Sequence, residues 1–174
     1  MTRVSETTRF KSGNRLKYGI SFAALALLSA APAFAQTPKP PVVGETVSAF
    51  EMVPDRTVIF EPVADGQLKI VKVTENDGHA PMPRNPGQVA VAMNYALEIG
   101  TMMEFNSGLD YGFSYAAMVM KADDREPSRI TLLPIESCPV NGQSVGSDQW
   151  PQPYPRIAIA RFARKDGPAA CEPG

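Results

Sequence analysis

Between residues 88 and 99, apolar positions alternate with small or polar ones. Val89, Val91, Met93, Tyr95, Leu97 and Ile99 share one parity, and Gln88, Ala90, Ala92, Asn94, Ala96 and Glu98 share the other. A period of two marks a half-buried strand, whereas a helix would scatter these residues around its circumference. Met103 and Phe105 keep the parity past Gly100, so the pattern predicts one long strand bent at the glycine or two strands meeting there. Tyr111, Phe113, Tyr115, Ala117 and Val119 form the next alternating run. Between them, Asn106-Ser107-Gly108-Leu109-Asp110 has hairpin chemistry, because Asn and Gly tolerate positive φ. Weaker strands are predicted over 47–53, 57–61, 67–75, 129–135 and 156–164, with a parity switch near Val71 that marks a bulge.

These segments make about seven strands and no convincing helix. Sixteen prolines after residue 35 punctuate them. Such half-apolar strands bury their faces by pairing two sheets. The expected fold is therefore all-β: an antiparallel β-sandwich, immunoglobulin-like or related, over residues 45–174. Residues 36–44 (QTPKPPVVG) read as a Pro-rich flexible leader. The run Trp150-Pro-Gln-Pro-Tyr154-Pro is too rich in proline for a central strand and is expected to lie extended across the sandwich edge.

The first 35 residues have the three parts of a secretory signal peptide. Arg3, Arg9, Lys11, Arg15 and Lys17 form a basic region, residues 20–33 carry no charge, and Ala33-Phe34-Ala35 ends in a small-x-small cleavage pattern. Spanning a bilayer needs about 20 apolar residues, and this run is shorter. Cleavage is expected after Ala35, with periplasmic or secreted localisation by the general export route and no stable membrane insertion afterwards. The whole chain carries 17 basic and 18 acidic residues, and the signal holds five and one of them. The remainder has a net charge of −5, without the basic footprint that nucleic acid or anionic lipid demands.

Export changes the reading of Cys138 and Cys171. In an oxidising compartment a lone even pair is expected to form a disulfide, closing a loop worth about 3–4 kcal/mol in the chain-entropy model.

No catalytic residue or cofactor motif emerges. Gly142-Gln143-Ser144-Val145-Gly146 matches a hydrolase nucleophile elbow, which needs a strand before the serine and a helix after it. Pro139 and the proline-rich run beyond forbid that context, so the segment reads as a loop. Asp123-Asp124-Arg125-Glu126 lacks the alternating oxygens of a calcium loop and reads as a solvated turn. His79 is the only histidine, so a zinc site built on it would have to use carboxylates or the cysteines. Thioethers suit Cu(I). Met82 and Met93 stand eleven apart with His79 close by, a spacing that resembles part of the motif of a family of periplasmic copper chaperones, also small exported β-sandwiches. That family continues with a His-x-Met pair, where this chain reads Tyr115-Ala116-Ala117-Met118. The resemblance implies a copper site at His79, Met82 and Met93. Met93 and Met103, however, lie on apolar strand faces, where core packing is the simpler role. Tyr111, Phe113, Tyr115, Trp150 and Tyr154 could line a binding surface or fill the core.

By elimination the sequence points to a non-enzymatic binding or structural module of the cell envelope, whose partner is an unknown envelope protein or ligand. The alternatives are the copper protein and a small hydrolytic enzyme with converging acids such as Glu98, Glu104 and Asp110.

Overall fold

The computed structural model describes residues 37–75, 79–96, 98–167 and Cys171. The segment expected to be a signal peptide, and with it the expected cleavage point, lies outside them. Among the described residues the chain builds ten strands, connected by turns and one short 3-10 turn at Ala64–Gly66. The strands are β1 (Thr46–Val47), β2 (Ala49–Met52), β3 (Arg56–Pro62), β4 (Leu68–Glu75), β5 (Val89–Ala96), β6 (Gly100–Ser107), β7 (Gly112–Ala122), β8 (Ile130–Ile135), β9 (Val145–Trp150) and β10 (Ile157–Lys165). They form two antiparallel sheets. One has six strands in the order β1-β4-β3-β5-β6-β9, and the other has four in the order β2-β10-β7-β8. The all-β two-sheet fold matches expectation; the strand number exceeds the seven predicted.

The strongest alternation resolves into two strands. β5 ends opposite the start of β6, with Ala96 paired to Gly100. Gly100 has φ +89°, and a Cβ there would lie 2.1 Å from the Trp150 carbonyl oxygen, so only glycine allows this corner. The predicted bulge is also present: Ile59 pairs with Lys72 and Phe60 with Ile70, leaving Val71 unpaired in β4. A second bulge in β10, between Ala160 and Ala163, reverses the strand's parity so that Ile157, Ile159 and Phe162 all reach the core.

Two expectations need correction. The 106–110 connection is not a hairpin: β6 and β7 belong to different sheets, so it carries the chain across the sandwich. Residues 145–150 are strand β9 on the edge of the larger sheet, paired with β6 from Asn106↔Val145 to Thr101↔Trp150. The prolines begin only where that strand has ended. Residues 37–44, the segment expected as a leader, make two backbone contacts with the sandwich. Glu51 N–H donates to the Lys39 carbonyl at 2.9 Å, a single bridge to β2, and Gly44 N–H donates to the Ile70 carbonyl of β4 at 2.8 Å. A proline-bearing strap is a common way to blunt a sheet edge.

The core is aromatic. Phe60 and Phe105 from the larger sheet meet Phe50, Phe113, Tyr115 and Phe162 from the smaller. Phe113 stacks on Phe162 at 4.2 Å between ring centroids, and Phe105 lies 4.6 Å from Tyr115. Phe113 is fully buried at the centre of this cluster. Its replacement by alanine is expected to cost about 3–5 kcal/mol, read as a lower urea midpoint with an unchanged slope.

Candidate functional site

Three places concentrate polar or exposed chemistry. The first lies inside the sandwich. Asp148 on β9 faces inward opposite Met103, and Tyr115 faces it from β7 of the other sheet. The Tyr115 hydroxyl donates to the Asp148 carboxylate, and Cys138 N–H donates to both carboxylate oxygens at 3.0 and 3.2 Å. Beside it the Trp150 indole N–H donates to the Glu136 carbonyl at 2.8 Å, and Ser137 Oγ donates to the Tyr115 carbonyl at 2.7 Å. The Cys138–Cys171 disulfide fixes the C-terminal tail to this same segment. Both sheets and the crossover between β8 and β9 therefore meet at one buried carboxylate.

Burial pushes the Asp148 carboxyl above the usual carboxylate range, against the opposing pull of Tyr115 and Cys138. Burial first, then the neighbouring Asp148 charge, raises the Tyr115 phenol well above its ordinary value. An aspartate whose folded pKa is raised holds its proton more tightly in the folded chain. Its contribution to stability is then full below the unfolded carboxyl's pKa and is lost as pH rises through the folded value.

The second place is the outer face of the larger sheet. Ile59, Ala90 and Ala92 form a small apolar floor on which Ala80 packs. Two side chains of β6 grip that residue: Ala80 N–H donates to Glu104 Oε1 at 3.1 Å, and Asn106 Nδ2 donates to the Ala80 carbonyl. The second Glu104 oxygen lies 3.4 Å from His79 Nδ1. Gln88 donates to Glu61 at 2.9 Å farther along the same face.

The third place is the β7–β8 hairpin. β8 is the last strand of the smaller sheet, and no described strand lies along its other side. Lys121, Thr131 and Leu133 share the parity of core residues, since Val119 of the same face sits opposite Leu133 and Ile157. Lys121 and Thr131 are nevertheless exposed, and Leu133 is 46% exposed, so the hairpin runs past the opposing sheet. Beside it lies an open hollow of about 500 Å³ lined by Lys121, Asp123, Asp124, Arg125, Thr131 and Leu133. Asp123 shapes its rim by accepting from Arg125 N–H at 2.8 Å and Glu126 N–H at 3.2 Å, the solvated turn expected there.

The predicted site residues are largely dispersed. Cys138 and Cys171 are bonded as expected. The copper set is not brought together. Met93 is fully buried on the inner face of its sheet, His79 sits over the outer face with Glu104, and Met82 is 65% exposed. Met103 is likewise a core residue. The aromatic set is interior rather than surface. Phe113, Tyr115 and Trp150 are buried, while Tyr111 and Tyr154 pack against the core, with Arg164 4.6 Å above the Tyr111 ring. Glu98 and Asp110 lie beyond opposite ends of β6, away from Glu104 at its middle. Ser144 spends its hydroxyl on the Asn141 carbonyl at 2.8 Å. The elbow glycines have packing roles. A Cβ on Gly142 would lie 2.8 Å from Tyr111 N, and one on Gly146 would lie 3.0 Å from a Val140 methyl.

Among the described residues no group of three or more His, Cys, Asp or Glu side chains could hold a metal ion, and no helix is long and apolar enough to cross a membrane. No family model, no curated protein and no solved structure matches this chain.

The buried carboxylate has a direct test. Asp148→Asn should remove part of the loss of stability that accompanies a rise from about pH 4 to pH 7, measured by urea unfolding. Tyr115→Phe leaves Asp148 short of a donor and should cost about 1–3 kcal/mol at neutral pH. An identical pH slope in wild type and Asp148→Asn would contradict this account.

Proposed function

We propose that the chain, exported and processed, is a non-enzymatic binding module of the cell envelope that takes an extended partner segment along β8. The free side of β8 is the observation that carries this reading. An edge strand offers unpaired N–H and C=O groups, and an added strand supplies their partners. β8 reads Ile-Thr-Leu-Leu-Pro-Ile, apolar on both faces; Ile130, Leu132 and Pro134 turn their backbones away from β7, so the open side offers two N–H donors and three carbonyls. Specificity would come from the hollow beside Thr131 and Leu133. Alternate side chains of an added strand would reach toward it, with Asp123, Asp124 and Arg125 at its rim. The disulfide suits an oxidising compartment, in keeping with the export signal read from the sequence. The strap over β2 leaves the smaller sheet with β8 as its available side.

A photo-crosslinking amino acid at Leu133, expressed in cells with the native signal, tests the proposal. Val63 is exposed to a similar degree, at 41% against 46%, and lies in the turn that follows β3 of the other sheet, so it is the control. The expected outcome is a discrete adduct from Leu133 that disappears when Leu132→Pro removes an N–H that faces away from β7. Equal labelling from Leu133 and Val63 would refute strand addition at β8.

A further inference from the structure

The donors and acceptors left open on β8 match those of a second β8. Met120 pairs with Leu132, and its own N–H is spent on the Arg156 carbonyl at the β10 side, so the Leu132 backbone faces away from β7. Ile130 and Pro134 share that orientation by the alternation of an antiparallel ladder. Consider two antiparallel copies related by a two-fold axis at Leu132. The two Leu132 residues exchange N–H and C=O, and Ile130 stands opposite the other copy's Pro134. Each Ile130 N–H then meets a Pro134 carbonyl. Pro134 has no N–H to return, so only the Ile130 carbonyl stays with water. Every open donor of the strand is used.

The same register matches side chains. It places the other copy's Leu133 opposite Thr131, on the face that carries the hollow lined by Lys121, Asp123, Thr131 and Leu133. The half-exposed Leu133 of each copy thereby gains a cover. Unlike charges also meet. Arg129 flanks the start of β8 and Glu136 its end; both are exposed, and neither is in an ion pair among the described residues. Antiparallel pairing sets each Arg129 within one position of the other copy's Glu136. Neighbouring registers are worse. An axis at Thr131 sets Glu136 toward the other copy's Glu126. An axis at Leu133 sends the Ile130 N–H to the Glu136 carbonyl, which the Trp150 indole already holds.

We infer that the extended segment taken by β8 is the β8 of a second copy of this chain, in an antiparallel two-fold pair centred on Leu132. The inference rests on the reading of β8 as the binding edge and names its occupant. The two smaller sheets continue into one another through the pair, which closes both open edges at once. A six-residue edge covers less than the roughly 800 Å² per partner of a standard interface, so the pair dissociates on dilution.

The test uses the chain as cells export and process it, with the disulfide intact. Sedimentation velocity over a concentration series should show a monomer passing into a dimer. Leu132→Pro removes the central N–H and should abolish the dimer. Arg129→Glu and Glu136→Arg leave the backbone bonds of both residues in place. Each should weaken the dimer about fivefold, and the two together should restore it. The photo-crosslinker at Leu133 should give an adduct of twice the chain mass, joined within the other copy's β8. A monomer at every concentration, or a dimer indifferent to both charge reversals, would overturn the paired β8 strands. An adduct from Leu133 to a different protein alone would overturn the second copy as occupant and leave strand addition standing. No adduct of any kind would contradict strand addition itself.

Discussion

One buried carboxylate organises the interior. A β-sandwich is held mainly by the apolar faces of its sheets, and dispersion and area burial say little about how one sheet is aligned on the other. Asp148 adds direction. It comes from the larger sheet, accepts the phenol of Tyr115 from the smaller, and accepts the amide of Cys138 from the crossover between them. A carboxylate out of water is costly unless its lone pairs are met, so this arrangement is favourable only with all three elements in place. The disulfide then fixes the tail at the same point. Trp150 and Ser137 add further bonds to the crossover just before Cys138, at Glu136 and Ser137.

The same crossover explains where the fold stays open. After β8 the chain leaves the edge of the smaller sheet to begin β9 on the edge of the larger one. The crossover stays tied to Tyr115, Asp148 and Phe113, and Val140 exchanges backbone bonds with Phe113. The opposite edge of the smaller sheet is closed by the strap at Lys39. β8 itself has β7 on one side and no described strand on the other. An open edge beside a hollow, next to a crossover tied by these bonds, is the arrangement on which the proposed strand addition rests.

The strongest alternating runs, over 89–99 and 111–119, could be read from the sequence as β5 and most of β7, because their large apolar side chains recur with an unbroken period of two. The bulge at Val71 was legible for the same reason: a parity switch has few other causes. β9 was not. Val145-Gly-Ser-Asp-Gln-Trp150 has apolar residues only at its ends, and the inward position at its centre is Asp148, a residue that polarity alone assigns to solvent. The 106–110 connection failed because hairpin and cross-sheet turns use the same residues; partner strands decide between them, and those are set by tertiary packing. His79 was legible as a lone ligand-bearing residue. Its neighbour Glu104 was not, since it lies 25 positions away and only β6 and the grip on Ala80 bring it close.

Amide hydrogen exchange on the disulfide-intact chain of residues 36–174 tests most directly the picture of a sandwich tied at Asp148 and open at β8. The account predicts slow exchange at the Cys138 amide and through β9, together with fast exchange at the β8 amides that point away from β7. Protection of every β8 amide to the level of β7, or rapid exchange at Cys138, would contradict it.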